Sequence, residues 1–445
     1  MDKDIINMVS INGKKKITCF RFMEECFQNE GYISSEKLRI NFLNKLLNPA
    51  ILRKIKTFFS LYLKCKFIFK DPKNLEFAIF DSENSEFIKK ILPNKNYVTI
   101  STRIEKINEI YFSKRIIVYF FRNILKGSLK QIYLAALINA INPRIVITHI
   151  SDSLDFHVVG RILNDKIKFI AVQTYSPNAF NKMFPGKREK KFFIPTFFCF
   201  SKYDELFYKK KKATIGSFEI VGSLPSSLTH EYVQSQKLKI NPNKHDICLI
   251  AEPFADIGSS DFPHVKNLPD SMGIVAEFTY KLCKKHDLNI IFSGKGPQDT
   301  IGARTAMHFY KYYLKKYNFE IFHSSKEMAA YSSYLNIMQS RLTIGCISTM
   351  LREAISLEKK FLSFNTVGHP DVSFSGPGIK FPQESICVLT KPSYEFFEER
   401  VLKILSMTNE EYFAQLGVEK SFLMFPGNEA ANILRKRLKE ISGTI

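Results

Sequence analysis

From about Leu75 onward, short apolar runs alternate with longer stretches in which apolar residues recur every three or four positions. The runs EFAIFD, NYVTIST, RIIVYFF, PRIVITHIS, KIKFIAVQT, FFIPTFFCF and SFEIVGS read as buried strands. SENSEFIKKIL and SLKQIYLAALINAIN, between them, read as helices. After VGSLPSS comes a polar, proline-marked stretch, LTHEYVQSQKLKINPNKH. A second series then begins, with strands DICLIAEP, LNIIFSGK, FEIFHS, RLTIGC, KFLSFNT and SICVLT. Its helices are SMGIVAEFTYKLCKKH, TAMHFYKYYLKKY, STMLREAISLEKK and PSYEFFEERVLKILSM. Strands alternating with helices predict parallel sheets wrapped by helices. The expected class is therefore α/β, with two Rossmann-like doubly wound domains facing a cleft. The pattern places the first domain at 75–225, a linker at 226–245 and the second domain at 246–425. A closing helix at 426–445 would pack back across the junction.

The length, 445 residues, agrees with two domains rather than one core. With 45% hydrophobic and 24% charged residues the composition is that of a globular protein. Lys and Arg number 65 against 43 Asp and Glu, a formal net charge of +22. That excess favours anionic partners, although codon usage in an AT-rich genome also raises Lys, Ile, Asn and Phe together. Zinc-finger, helix-turn-helix and RNP-type signatures are missing from the sequence, so nucleic acid is not expected as a partner. The eight cysteines are scattered without metal spacing, and they read as reduced, mostly buried thiols. MDKDIINMVS lacks the blocks of a signal peptide, and a cytoplasmic location is expected.

One stretch points to a surface. Residues 1–74 read as a basic, helical extension; between Lys37 and Lys70 there are nine basic residues and no acidic ones. Ile51, Ile55, Phe59 and Tyr62 recur among them at helical spacing. Such a helix suits an anionic membrane face, and equally a domain helix with a solvated basic side.

In open α/β sheets, ligands bind beyond the carboxyl ends of the strands. Several candidate residues fall there. Ser348 and Thr349 follow the strand RLTIGC and open a helix, so free N–H groups and two hydroxyls meet at its positive end. Arg352 and Glu353 lie one turn on, within reach of the same anion. Lys295 follows the strand NIIFSG, Ser333 and Tyr334 precede LNIMQS, and Asn365 ends KFLSFN. Phosphate is the expected anion; plain helix capping by Ser348 and Thr349 is the simpler alternative. In the first series, His149 ends PRIVITH, and Asp152, Asp155 and His157 follow it. Carboxylates and an imidazole past a strand end suit a general base for a hydroxyl, or else Asp152 or Ser153 merely caps the next helix. Gln173 and Tyr175 reach the same edge, and Asp81 ends EFAIFD. No H-E-x-x-H, no DxD flanked by apolar strands and no histidine cluster indicates a tightly bound metal.

The order of these pieces resembles the bacterial surface carbohydrate biosynthesis protein family of GT-B glycosyltransferases. The resemblance rests on PRIVITHISD, KFIAVQTY, IPTFFCF, IVGS, DICLIAEP, SYLNIMQS, GCISTMLREA and KKFLSFNT, across roughly residues 75–440. It implies a metal-independent transferase with no tightly bound cofactor and a nucleotide-sugar as co-substrate. Ser348, Thr349, Arg352 and Lys295 would hold the donor phosphate, with Ser333 beside the nucleotide. Glu353 and Asn365 would orient donor hydroxyls, and Asp152 or Asp155, with His157, would deprotonate the acceptor. The acceptor would be a glycan or lipid-linked chain at the cytoplasmic face of the inner membrane, bound near Gln173 and Tyr175. Where that family has Gln-Asn-Gly, this chain has Gln173-Thr174-Tyr175. The same residues also fit a polyol-phosphate transferase using a CDP-glycerol-like donor, an epimerase, or a glycan-assembly protein with an altered acceptor site.

Overall fold

The computed structural model describes residues 65–93, 96–103, 106–174, 192–210, 213–251, 268–294, 310, 331–346, 348–366, 385–416, 419–425 and 428–443. Within them lie two parallel sheets and a small two-stranded ribbon. The ribbon pairs β1 (Lys66–Ile68) with β4 (Glu109–Tyr111). β1 lies inside the stretch read as a helical extension, whose earlier residues fall outside the described set.

The first large sheet joins β2 (Phe77–Phe80), β3 (Tyr97–Ile100), β5 (Ile145–Thr148), β6 (Lys168–Val172), β7 (Phe193–Cys199) and β8 (Thr214–Ile220). Their order is β3-β2-β5-β6-β7-β8, and every pairing is parallel. The second sheet holds β9 (His245–Ile250), β10 (Ile290–Ser293), β11 (Ser340–Gly345), β12 (Lys360–Phe364) and β13 (Val388–Leu389). Its order is β10-β9-β11-β12-β13, again parallel throughout. The central strands are buried on both faces because helices cover both, which is why they read as unbroken apolar runs rather than as alternating ones.

The two orders are the same in kind. Each sheet begins at its second strand, adds an edge strand, and then crosses back to the other side. The direction of winding therefore reverses between β2 and β5 in one sheet, and between β9 and β11 in the other. A crevice opens at such a reversal because the flanking connections leave to opposite faces.

RIIVYFF differs from expectation: it is a helix, α2 (Lys114–Arg122), and follows α1 (Ser85–Ile91) in chain order. The Ser113 hydroxyl caps α2 by accepting the Ile116 N–H at 3.3 Å. A continuous apolar run suits either conformation, and here a cap and one-sided packing decide it. A capping box of Ser128 and Gln131 then starts α3 (Leu129–Ile141). The remaining helices of the first half are α4 (Leu154–Leu163), α5 (Lys202–Lys210) and α6 (Leu224–Ser235). The last of these occupies the first half of the segment read as a linker. FEIFHS and most of TAMHFYKYYLKKY lie outside the described residues.

The second half contributes α7 (Leu268–His286), α8 (Ser332–Met338), α9 (Thr349–Ser356), α10 (Tyr394–Ser406), α11 (Asn409–Ala414), α12 (Lys420–Leu423) and α13 (Ala430–Ser442). The final helix returns to the first sheet. Arg435 pairs with Glu231 at 2.5 and 2.7 Å and donates to the Lys90 carbonyl, while Arg437 pairs with Glu219 of β8 at 2.8 Å. Gly222, at φ 84°, turns the chain out of β8 where the returning Phe425 carbonyl leaves room for little: a Cβ there would meet it at 3.0 Å.

Candidate functional site

Asp81 follows β2 at the reversal in the first sheet. It is buried, its backbone is left-handed at φ 77°, and its carboxylate accepts from Thr102 Oγ1 at 2.7 Å and from the Glu83 N–H at 3.0 Å. Thr148 closes β5 beside it: its hydroxyl donates to the Phe80 carbonyl at 2.8 Å and accepts the Ile150 N–H at 3.0 Å. The ends of the two strands are thus tied together. His149 comes next, buried, its ring edge-on to Phe87 at 5.6 Å between centroids. Neither of its nitrogens has a hydrogen-bond partner, and burial pushes its pKa down to about 3. It is a neutral imidazole set at the crevice. Sequence reading passed it over as a strand-end residue; only its place directly after PRIVIT marked it.

Asp152 stands beside this group. Burial raises its pKa above the ordinary carboxylate value, the Asp81 charge adds to that, and Arg103 opposes it. A carboxylate so placed is a stronger base than one in water. The capping role falls to Ser153, whose hydroxyl accepts the Phe156 N–H at 3.3 Å, and not to Asp152. Asp155 is held by Gln131 Nε2 at 2.9 Å and by Lys130 at 2.6 Å. His157 is turned into the core: its Nδ1 lies 3.0 Å from the Phe193 carbonyl, its ring packs 4.2 Å from that of Phe192, and burial lowers its pKa to about 4. The three residues read together as an acid/base cluster are therefore in three different settings.

Across the cleft, Ser348 caps α9, its Oγ accepting the Met350 N–H at 3.4 Å, and Thr349 takes the first helical position. Gly345, at the end of β11, lets the turn sit close: a Cβ there would touch Ile250 and Leu351 at 3.4 Å. Ser333 donates to the Gly294 carbonyl at 3.3 Å, at the end of β10. Asn365 is buried at the end of β12, its N–H bonded to the Leu389 carbonyl at 2.8 Å. Lys295 and Tyr175 lie outside the described residues.

Arg352 and Glu353 do not join this group. Arg352 is 1% exposed and reaches into the first domain, where it pairs bidentately with Asp204 of α5 at 3.0 and 2.8 Å. It also donates to Ser201 Oγ at 3.3 Å and to the Leu423 carbonyl, and its guanidinium lies 5.0 Å from the centre of the Tyr203 ring. Asp204 further accepts from Ser201 at 2.8 Å and from Gln173 Nε2 at 2.8 Å. Gln173 also accepts the Phe200 N–H at 2.9 Å, so its side-chain amide is engaged in this joint. Glu353, also buried, accepts from Ser223 Oγ at 2.6 Å and from the Tyr334 hydroxyl at 3.1 Å; burial raises its pKa to about 6. Ser356 donates to Ser226 at 2.8 Å. The expectation that Arg352 and Glu353 grip the donor is thus replaced. One face of α9 docks the second domain on the first, and only its N-terminal end is left for an anion. Sequence spacing put all four residues on one helix; it carried no signal for Asp204, the partner that draws Arg352 away.

Two parallel, doubly wound domains with their strand ends across a shared cleft define the GT-B fold. A candidate UDP-N-acetylglucosamine 2-epimerase from Listeria monocytogenes aligns with a TM-score of 0.52 at 13% identity, over 84% of this chain and 98% of that one. UDP-GlcNAc 2-epimerase from Neisseria meningitidis, bound to UDP-GlcNAc, aligns at 0.48 and 12%, over 82% and 99%. The wall teichoic acid polymerase TagF aligns at 0.48 and 12%, over 93% and 99%. No protein-family profile matches the sequence, and no curated protein matches it.

Proposed function

We propose that this protein is a glycosyltransferase that moves a sugar from a nucleotide-activated donor onto a bacterial surface glycan. The reading is supported by two unlike strand-end groups, one in each domain, at the ends where open α/β sheets bind their ligands. On one side are Asp152, with its raised pKa, and the neutral His149. On the other is the capped start of α9 at Ser348 and Thr349. In the reaction, Asp152 takes the proton of an acceptor hydroxyl as that oxygen attacks the anomeric carbon. The bond from that carbon to the donor phosphate breaks, and the nucleotide leaves with the electron pair. N–H groups at the start of α9, the hydroxyls of Ser348 and Thr349, and Lys295 meet the charge that develops on it. Arg352 and Glu353 act at a distance, by fixing where α9 stands. The site of action is the cytoplasmic face of the inner membrane, with a lipid-linked glycan as acceptor.

The test has two parts. A nucleotide that binds only the folded protein raises its melting temperature, so CMP, CDP, UDP, GDP and dTDP and their sugars are compared. One of them should stabilise the protein; if none does, the donor site is misassigned. Asp152→Ala should then lower transfer by at least about a hundredfold while keeping that stabilisation. Transfer at the wild-type rate would remove Asp152 from the mechanism. A phosphodiester in the product would identify a polyol-phosphate transferase instead.

A further inference from the structure

The segment Phe112–Leu129 is unlike the rest of the surface. The exposed large hydrophobic residues Phe112, Ile117, Val118, Phe121, Ile124, Leu125 and Leu129 fall within these eighteen positions. Leu125 is 97% exposed, Phe121 65% and Leu129 64%. In α2 only Ile116 is fully buried; Ile117 and Phe121 lie four positions apart on the opposite, outward side, and Leu125 follows four further on. Phe69, also exposed, stacks on Phe112 with ring centres 6.4 Å apart and extends the apolar area. Single exposed hydrophobic residues need no explanation, but a continuous set of this size does.

Charge decides what it meets. From Ile110 to Ser151 the chain carries no Asp or Glu. Lys114, Arg122 and Lys126 sit among the apolar side chains and form no ion pair within the described residues. Apolar side chains flanked by unpaired cations, with acids excluded, match the boundary of a bilayer with anionic headgroups: the rings and branched chains enter the acyl region and the long basic stems reach back to phosphate. A protein partner or a second copy would more usually answer such cations with carboxylates of its own.

Place adds a reason. A helix that leads into a parallel strand starts at the carboxyl edge of the sheet, so the start of α3 lies at the same edge as His149 and Asp152. Lys130 and Gln131 at that start bind Asp155 directly, at 2.6 and 2.9 Å. The exposed Ile124–Leu129 turn is therefore next to the loop proposed to receive the acceptor.

We infer that Phe112–Leu129 is a docking surface for an anionic lipid bilayer, seated so that a lipid-linked substrate reaches the first domain's crevice from the membrane. This deepens the peripheral-membrane part of the proposed function and does not depend on the identity of the donor. The full-length chain is tested with vesicles of phosphatidylcholine alone and of phosphatidylcholine with phosphatidylglycerol. It should sediment with the second and not the first, less so as salt is raised. The double variant Phe121→Ser/Leu125→Ser should lose roughly tenfold or more in partitioning, with its melting temperature and nucleotide stabilisation unchanged. The chain has no tryptophan, so Leu125→Trp gives a single reporter. Its emission should shift to the blue with anionic vesicles and be quenched by brominated acyl chains. Wild-type protein that ignores anionic vesicles, or a double variant that binds them equally, overturns the inference. So does Leu125→Trp emission already blue without lipid, or a dimer that the double variant dissociates, since then another part of the chain or a second copy covers this face. Nucleotide stabilisation is read separately, so failure of the donor assignment cannot be mistaken for failure of this one.

Discussion

Glu353 shows how a single side chain sets a measurable property. Its carboxyl is shut in the domain joint with Ser223 and Tyr334, and its pKa is raised from 4.5 to about 6. A raised pKa means that the folded protein holds the proton more tightly than the unfolded chain does. The resulting stabilisation is complete below the unfolded value and is lost as pH rises through about 6. A rise from 4.5 to about 6 is worth about 2 kcal/mol. Chemical unfolding at several pH values should therefore show that the wild type loses about 2 kcal/mol more than Glu353→Gln across that window. Parallel profiles for the two proteins would mean that the carboxyl titrates normally. The same residue shows what sequence reading reaches at this scale. The positions of Ser348, Arg352 and Glu353 on one helix were legible; the division of labour among them was not. Arg352 turns away from the strand edge because Asp204, 148 residues earlier, offers a bidentate partner, and no local pattern encodes so distant a pairing.

Strands were the most legible elements, since β2, β5, β6, β9, β11 and β12 are runs of buried apolar residues with abrupt polar ends. RIIVYFF failed for the same reason that these succeeded: an unbroken apolar run says that something is apolar, not that it is extended. α2 keeps Ile117, Val118 and Phe121 exposed, so the run reflects a surface as much as a core. At α9 the open question is whether Ser348 does more than cap. Glycine is nearly as good a cap as serine, to within a few tenths of a kcal/mol, but offers no hydroxyl. Ser348→Gly should leave the melting temperature almost unchanged and weaken nucleotide stabilisation severalfold. Unaltered nucleotide binding would reduce Ser348 to a cap.

For the whole molecule, the joint matters as much as the cleft. The buried Arg352–Asp204 pair is bidentate, with Gln173 and Ser201 also donating to Asp204, and removing one partner strands the other charge away from water. Arg352→Met should cost about 3–5 kcal/mol and separate one cooperative unfolding transition into two, visible by calorimetry. A single transition with an unshifted midpoint would show that the domains are held otherwise. The two-domain plan was readable from the alternation of runs, and the repeated strand order was not, because order depends on which strands meet after each crossover.

α13 adds a consequence in time. Its buried Leu434 and Leu438 share a core with Ile88, Leu224 and Leu228, and Arg435 ties it to Glu231 and Lys90. The first domain is thus finished by a segment made long after the rest of it. Roughly two hundred residues separate α6 from α13, which at about 5–20 residues per second is on the order of ten to forty seconds of translation. Through that interval the groove between α1 and α6 waits uncovered on the ribosome, open to whatever apolar surface the emerging second domain presents.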